Sequence, residues 1–126
     1  MNLVDSCGWL EYFADGPNAD FFAKPLCNIM ELIVPTICIH EVFKSVLRQK
    51  GEEIALQILA IMEQAHVIEL DTQIALLSAK IGYELKIPMA DSIVLATARK
   101  YNATIWTQDS DFKGLPGVKY IRRKSR

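Results

Sequence analysis

Residues 90–112 have the sequence ADSIVLATARKYNATIWTQDSDF, and this stretch decides the fold. Its first half is apolar nearly all round, which is typical of a buried helix, and Pro88 is placed to open that helix. The segment TIWT at 104–107 has the composition of a short buried strand, and Asp109 and Asp111 follow it. The stretch therefore predicts a buried helix, a core strand and two acids where the strand ends.

The alternation of short apolar runs and helical periods continues toward both ends of the chain. Ser6 and Thr36 are placed to cap helices that follow the first two of these runs. Short apolar strands separated by helices favour a parallel sheet covered on both faces. We therefore predict an α/β fold, a three-layer α/β/α sandwich around a central, mainly parallel sheet of about five short strands. Besides 104–107, the predicted strands are 2–5 (NLVD), 31–35 (ELIVP), 67–70 (VIEL) and 118–121 (VKYI).

The two helices predicted between residues 37 and 65 carry apolar residues on more than one face. The first has a stripe at helical spacing, formed by Ile39, Val42, Phe43, Val46 and Leu47. The second has a main apolar line, formed by Ile54, Ile58, Ile61 and Ala65. Because Leu56, Leu59 and Met62 fall outside that line, this pair of helices is predicted to leave apolar surface for association with a partner.

Composition limits the chain to one ordinary core. It has 126 residues, of which 51% are hydrophobic and 23% charged, so we predict a single domain over 1–126 with a basic C-terminal tail at 122–126. The formal net charge is −1, and the four basic residues of the tail contribute +4, which leaves −5 for the rest of the chain. The body of the protein therefore offers no broad basic field to nucleic acid. Three cysteines without a CxxC pair favour a reducing, cytoplasmic location, and no stretch has the pattern of a membrane span.

Acids occur where the predicted fold would gather them. Asp5 ends the first strand, and Asp109 and Asp111 lie just beyond the fourth. Glu41 falls in the first half of the helix after the second strand, and Asp91 in the first turn of the helix before the fourth. Right-handed crossovers bring these helix starts and the carboxyl ends of the strands to one edge of the sheet. The acids are therefore predicted to form one cluster.

Such a cluster would repel itself unless cations or protons neutralised it. Oxygen ligands, with no histidine or thiolate expected in reach, favour Mg²⁺ or Mn²⁺ over zinc. A metal-activated water at this place would suit hydrolysis of a phosphodiester bond. The sequence leaves open whether one or two metal ions bind.

Each acid also has a simpler interpretation. Asp5 and Asp91 could be helix caps, and the two acids after the fourth strand could be turn residues. Glu41 could be a solvated side chain that pairs with Lys44, three residues on. We prefer the metal site because independent caps and turns need not converge on one edge of the sheet.

Basic residues share the helix face that carries Glu41. Lys44 and Arg48 are predicted to hold substrate phosphates beside the acids, compensating for the acidic body of the protein. An ordinary charged solvent face remains the alternative.

Three segments together resemble a PIN domain: NLVDSCGWLEYF at the start, PTICIHEVF around Glu41, and residues 90–112. The small size resembles the VapC group of toxin ribonucleases. The resemblance implies a metal-dependent endoribonuclease that acts as the toxin of a VapBC-type toxin–antitoxin pair. It also implies a homodimer and a cognate antitoxin whose peptide masks the acidic site.

The resemblance also assigns roles to individual residues. It implies Mg²⁺ or Mn²⁺ ligands at Asp5, Glu41, Asp91 and Asp109. Asp111 matches a position where relatives often carry a second acid with a variable share in metal binding. Ser6 and Thr107 match positions that often carry a hydroxyl near the metal-binding acids.

Two other functions are alternatives to the metal-dependent nuclease. The first is a non-catalytic module that binds RNA or protein and whose acids hold a structural metal. The second is a phosphatase of the haloacid dehalogenase type, which requires Asp-x-Asp after the first strand, whereas the sequence VDSCG lacks the second acid. The complete set of acids favours the nuclease.

Overall fold

A parallel sheet of five strands organises the molecule, in the strand order β3-β2-β1-β4-β5. The computed structural model describes residues 1–125, so Arg126, the last residue of the predicted basic tail, lies outside the described residues. All four strand pairings are parallel. The strands are β1 (Asn2–Val4), β2 (Leu32–Pro35), β3 (His66–Ile68), β4 (Thr104–Thr107) and β5 (Val118–Tyr120).

Helices separate the strands along the chain, as the alternating sequence pattern predicts. Two short 3-10 turns, Ile29–Glu31 and Ser110–Phe112, precede β2 and follow β4. The helices formed by the described residues are α1 (Ser6–Phe13), α2 (Ala19–Leu26), α3 (Thr36–Lys50), α4 (Glu52–Met62), α5 (Thr72–Leu85) and α6 (Met89–Lys100). Within residues 1–125, none of these helices has the length and apolar character needed to cross a membrane.

Helices cover both faces of the central strands. Successive side chains of a strand point to opposite faces, and all four residues of β2 are buried. Leu3, Val4, Ile105 and Trp106 are likewise buried on the neighbouring strands β1 and β4. The predicted three-layer α/β/α architecture is therefore confirmed. The prediction that the helix before β4 is buried nearly all round is also confirmed, because every residue from 92 to 98 is buried.

The N-caps of α1 and α3 differ from the prediction by one residue. Asp5, and not Ser6, is the N-cap of α1, and its carboxylate accepts a hydrogen bond from the Ser6 backbone N–H. Pro35, and not Thr36, is the N-cap of α3, without a side-chain cap. Strand β1 ends one residue earlier than predicted, and this leaves Asp5 in the capping position. Both changes bring the start of the helix directly against the end of the strand.

The buried face of α3 is rotated from the predicted stripe. Cys38, Val42 and Val46 are the fully packed residues of this helix, whereas Leu47 is 44% exposed. The predicted stripe is therefore wrong at Leu47 and missed Cys38. The rotation matters for function because Cys38 and Glu41, three residues apart, lie on adjacent positions of the same face.

Helix α4 also uses a different face from the predicted one. Ala55, Ile58 and Met62 are buried, while Ile54 and Ile61 are 41% and 42% exposed. The predicted line through Ile54 and Ile61 is therefore wrong. Apolar surface is nevertheless left on this helix, as expected. The exposed residues include Ile54 and Ile61, whereas Met62, which was predicted to be outside the apolar line, is part of the core.

Candidate metal centre

Five acids supplied by separate segments lie at the carboxyl-terminal edge of the sheet. Asp5 follows β1, and Asp109 and Asp111 follow β4. These two strands are neighbours in parallel register, with Val4 paired to Trp106, so their ends coincide. Glu41 reaches the same edge from α3 and Asp91 from the first turn of α6.

Asp5 is buried and holds two different sets of hydrogen bonds. Its Oδ1 accepts from the Ser6 backbone N–H over 2.8 Å, which is the capping role considered above. Its Oδ2 accepts from the Thr107 hydroxyl over 3.1 Å and lies 3.6 Å from the Cys7 thiol. Burial raises the pKa of Asp5, while the hydrogen bonds from Ser6 and Thr107 oppose that rise. Asp5 is therefore both a helix cap and a carboxylate fixed inside the cluster.

Thr107 connects the two strands that supply the acids. Its hydroxyl donates to Asp5 and accepts from the Asp109 backbone N–H over 2.9 Å. The Asp109 carboxylate then accepts from the Asp111 backbone N–H over 2.9 Å, which starts the 3-10 turn after β4. This chain of hydrogen bonds sets the positions of the acids relative to one another. It also gives the Thr107 hydroxyl, predicted only as a supporting group, a specific structural task.

Glu41 is partly buried and turned toward the acids. Burial is the largest cause that raises its pKa, a hydrogen bond with the Ser6 side chain opposes the rise, and the charge of Asp5 adds to it. Among the ion pairs of the described residues there is none between Glu41 and Lys44. The interpretation of Glu41 as a solvated partner of Lys44 is therefore wrong.

Asp91, Asp109 and Asp111 form the most strongly interacting group of acids. Their carboxylate oxygens include atoms within 4.8 Å of one another. Burial, the largest cause, together with the charges of Asp109 and Asp5 and a hydrogen bond with Asp111, raises the pKa of Asp91 to about 7. Without a cation, this group therefore retains a proton close to neutral pH.

A thiol lies closer to the acids than the sequence suggested. The Cys38 sulfur and carboxylate oxygens of Asp5 and Glu41 all lie within 4.8 Å of one another. The sequence-based expectation that no cysteine sulfur lies near the acids is therefore wrong. Burial is the main cause that raises the pKa of Cys38 well above its usual value, so at neutral pH the group is a thiol and not the thiolate that soft metals require.

The donor chemistry of this site fits a hard divalent cation. Carboxylate oxygens dominate it, the hydroxyls of Ser6 and Thr107 hydrogen-bond to those carboxylates, and the two nearby sulfurs, of Cys7 and Cys38, are protonated at neutral pH. Mg²⁺ and Mn²⁺ prefer such oxygen ligands. A bound cation would also offset the repulsion from Asp109 and Asp5, which adds to the effect of burial on the pKa of Asp91.

Sequence reasoning missed the support on the other side of Asp109. The buried Gln108 side chain accepts from Asn18 Nδ2 over 2.9 Å, and the same Asn18 group donates to the Arg122 carbonyl over 3.0 Å. The Asn18 backbone N–H donates to Glu11 over 2.8 Å. These bonds connect the loop before α2, the end of β4 and the start of the tail. A loop asparagine gives no sequence signal for this role, because its partner lies 90 residues away.

Comparison with known proteins gives a family match and several structural neighbours. The family model of the PIN domain matches residues 3–118. No curated protein sequence matches the chain. A toxin–antitoxin complex from Klebsiella pneumoniae contains a similar chain, with TM-score 0.80 and 22% identity over 94% of this chain and 96% of that one.

Two further solved structures illustrate the range of similar proteins. FitAcB from Neisseria gonorrhoeae matches with TM-score 0.76 and 21% identity, over 97% of each chain. VapC20 from Mycobacterium tuberculosis, described as a toxin that cleaves the sarcin–ricin loop, matches with TM-score 0.75 and 14% identity, over 92% of this chain and 95% of that one. At these identities the likeness establishes a shared fold.

Proposed function

Because this chain belongs to the PIN domain family, we propose that it is an endoribonuclease that requires Mg²⁺ or Mn²⁺ and acts as the toxin of a VapBC-type toxin–antitoxin pair. The observation that carries the proposal is the convergence of Asp5, Glu41, Asp91 and Asp109, with Asp111, on one edge of the sheet. Acids that raise one another's pKa are costly unless a cation binds them. The closeness of these acids therefore supports a metal site.

The residues of the chain would divide the work of hydrolysis. Asp5 and Glu41 would form one group of ligands for a divalent cation, and Asp91, Asp109 and Asp111 a second group. A bound divalent cation supplies positive charge that promotes attack of water on phosphorus and stabilises the leaving oxygen. Thr107 and Ser6 would keep the carboxylates in place through their hydrogen bonds, so that little reorganisation is needed during the reaction.

The toxin role draws support from the structural neighbours. The Klebsiella chain belongs to a toxin–antitoxin complex, and VapC20 is described as a toxin that cleaves the sarcin–ricin loop. We extend these roles to this chain as part of the proposal, without naming the RNA that it cuts.

An antitoxin peptide and a second copy of the chain are the partners that we propose. A groove of about 550 Å³ lies between α1, α3 and α4, and it begins beside Ser6 and Cys7, next to the acids. Leu10, Phe13 and Ile58 give it an apolar lining that suits a peptide able to mask the site. Exposed Leu56 and Ile61 on α4 are available for self-association. Light scattering of the purified protein at micromolar concentration should give the mass of a dimer, and a strict monomer would contradict that part.

Cleavage of a mixed RNA pool tests the catalytic proposal. Wild-type protein is incubated with Mg²⁺, with Mn²⁺ or with a chelator, beside the variants Asp5→Asn and Asp91→Asn. Asp20→Asn is the matched control, because Asp20 is an exposed carboxylate on α2, away from the cluster. We expect cleavage only with metal, a loss of at least about a hundredfold in both site variants, and full activity in the control.

The products give a second, independent criterion. Attack by water should leave a 5′-phosphate and a 3′-hydroxyl, whereas a 2′,3′-cyclic phosphate would contradict the mechanism. Activity that survives chelation would also contradict it. Metal binding without any cleavage would favour the non-catalytic module considered from the sequence.

A further inference from the structure

The helix that carries Glu41 also forms one wall of a second cleft, which we call the α3 cleft. It has a volume of about 440 Å³ and is open to solvent. All but one of its lining residues are on α3, at spacings of three and four that define one helix face. They are Ile37, His40, Glu41, Lys44, Ser45 and Arg48, with Ala90 from α6 completing the cleft.

Two cations in the α3 cleft lack an internal partner. Lys44 and Arg48 are both exposed. The ion pairs found within residues 1–125 join the amino terminus to Glu31 and Lys100 to Asp71, so neither cleft cation takes part in one. An exposed cation without a carboxylate at contact distance is free to bind an anionic ligand.

The position of these cations relates them to the acid cluster. Glu41 belongs to the cluster and also lines the α3 cleft. With a helical rise of about 1.5 Å per residue, Lys44 lies roughly 4.5 Å and Arg48 roughly 10 Å farther along the helix axis than Glu41. The two cations therefore form a row that leads away from the acids.

We propose that the α3 cleft binds successive backbone phosphates of the substrate strand on one side of the bond that is cut. This inference rests on the proposed function for the identity of the strand. The acids repel a polyanion, and the chain before its tail has a net charge of −5, so a strand that approaches the cluster needs local positive charge. Lys44 and Arg48 supply that charge beside Glu41, and the Ser45 hydroxyl adds a hydrogen-bonding group between them.

Binding measured without cleavage tests this proposal. The parent protein carries Asp5→Asn, so that a fluorescently labelled, single-stranded RNA remains intact during anisotropy measurements. The cleft variant adds Lys44→Gln and Arg48→Gln to the parent. The control variant adds Lys24→Gln and Lys80→Gln, which remove the same charge from exposed sites on α2 and α5. Equal thermal unfolding of the three proteins confirms that the comparison is between folded states.

The salt dependence of the dissociation constant distinguishes cleft binding from a general charge effect. Each phosphate contact on a single strand contributes about 0.7 to the slope of log affinity against log salt, so loss of two contacts should reduce the slope by about 1.4. We expect the cleft variant to bind about tenfold more weakly than the parent near 0.1 M salt, and the control to lose less than about twofold. Equal weakening in both variants, or a parent that does not bind RNA at low salt, would overturn the proposal.

A positional experiment then locates the bound phosphates. Uncharged methylphosphonate linkages are placed one at a time along the RNA. In the parent, substitution on one side of the cut position should weaken binding, and in the cleft variant the same substitutions should have little further effect. Weakening that is equal in both proteins would place the phosphates elsewhere and overturn the inference. If the wild-type protein fails to cleave RNA but shows this cleft-dependent binding, the proposed nuclease function fails while the phosphate site stands.

Discussion

The Thr107 hydroxyl donates to Asp5 Oδ2 over 3.1 Å between neighbouring strands of the sheet. The same hydroxyl accepts from the Asp109 N–H, so Thr107→Val removes one group from two buried hydrogen bonds at nearly constant volume. We expect the free energy of unfolding to fall by about 1–3 kcal/mol, because a buried carboxylate and a backbone N–H lose their partner. Urea unfolding measures this loss, and RNA cleavage should fall in parallel.

Thr107→Ser is the matched control for this experiment. It keeps the hydroxyl and removes a methyl group, so it should retain most of the activity even if core packing costs some stability. If valine supported cleavage as well as serine does, the hydroxyl would have no role in positioning the acids.

The raised pKa of Asp91 predicts how stability depends on pH in the presence of a chelator. Because the pKa is about 7 in the folded protein and 3.8 ordinarily, the folded state binds the proton more tightly than the unfolded state does. The tighter proton binding stabilises the folded state. This stabilisation is fully present below pH 3.8 and is lost as the pH rises through 7. Asp5 and Glu41, whose pKa values are also raised, act in the same direction.

Asp91→Asn should therefore be more stable than wild type at pH 8 and lose that advantage at pH 5.5, when both are unfolded by urea in chelator. Added Mg²⁺ should reverse the order at pH 8, because it stabilises the wild-type cluster by binding to the folded state. Asp20→Asn serves as the exposed control for an Asp→Asn change. A variant that is less stable than wild type at pH 8 in chelator would contradict the assignment of repulsion to this group.

The three cysteines should differ sharply in reactivity. All three are free thiols, but Cys27 is exposed and Cys38 is buried. Burial and the charge of Asp5 raise the pKa of Cys7 to about 12, so its thiolate population near neutral pH is very small. Ellman's reagent should detect one fast thiol in the native protein and all three after unfolding.

Cys27→Ser identifies the fast thiol. This variant should lose the fast phase and keep RNA cleavage, because Cys27 lies at the end of α2 and not in the acid cluster. A second fast thiol in the native protein would mean that Cys7 or Cys38 is more accessible than the structure indicates.

Gly8 should not tolerate a larger residue, although it lies inside α1. A β-carbon at this position would lie 2.6 Å from atoms of both Phe22 and Val4. Alanine favours helix by about 1 kcal/mol over glycine, but overpacking of this kind costs about 1–3 kcal/mol. The difference is about 0–2 kcal/mol, so we expect Gly8→Ala to lower the free energy of unfolding by up to about 2 kcal/mol. In a chain that already carries Phe22→Leu, adding Gly8→Ala should cost less stability than it does in the wild type. If the effects of the two substitutions were additive, the side chains at positions 8 and 22 would not compete for space.

Much of the fold could be predicted from the sequence because its strongest patterns are unambiguous. The nearly all-apolar helix that Pro88 opens and the strand at 104–107 are found as predicted. The face of α4 could not be chosen in the same way. Ile58 is flanked at helical spacing by Ile54 and Ile61 on one side and by Ala55 and Met62 on the other, so two apolar faces compete. The structure buries the side with the small Ala55, and α3 and α4 are in extensive contact.

The candidate site, like the fold, could be predicted from the sequence only in part. Topology sufficed to predict that the acids gather, because parallel strands end at one edge of the sheet. The rotation of α3 could not be predicted, since Val42 and Val46 belong to both faces and the sequence makes Ile39 and Leu47 at least as apolar as Cys38. That rotation brings Cys38 beside Asp5 and Glu41 and makes Glu41 partly buried.

The pairing of β1 with β4 determines when the acids can gather during synthesis of the chain. Asp5 and its hydroxyl partner Thr107 are 102 residues apart along the chain, and Asp109 and Asp111 follow Thr107. Until β4 leaves the ribosome, β1 can pair with β2 but not with β4, and Asp109 and Asp111 are missing from the second group of acids. The two groups of acids can therefore come together only after the ribosome has released β4.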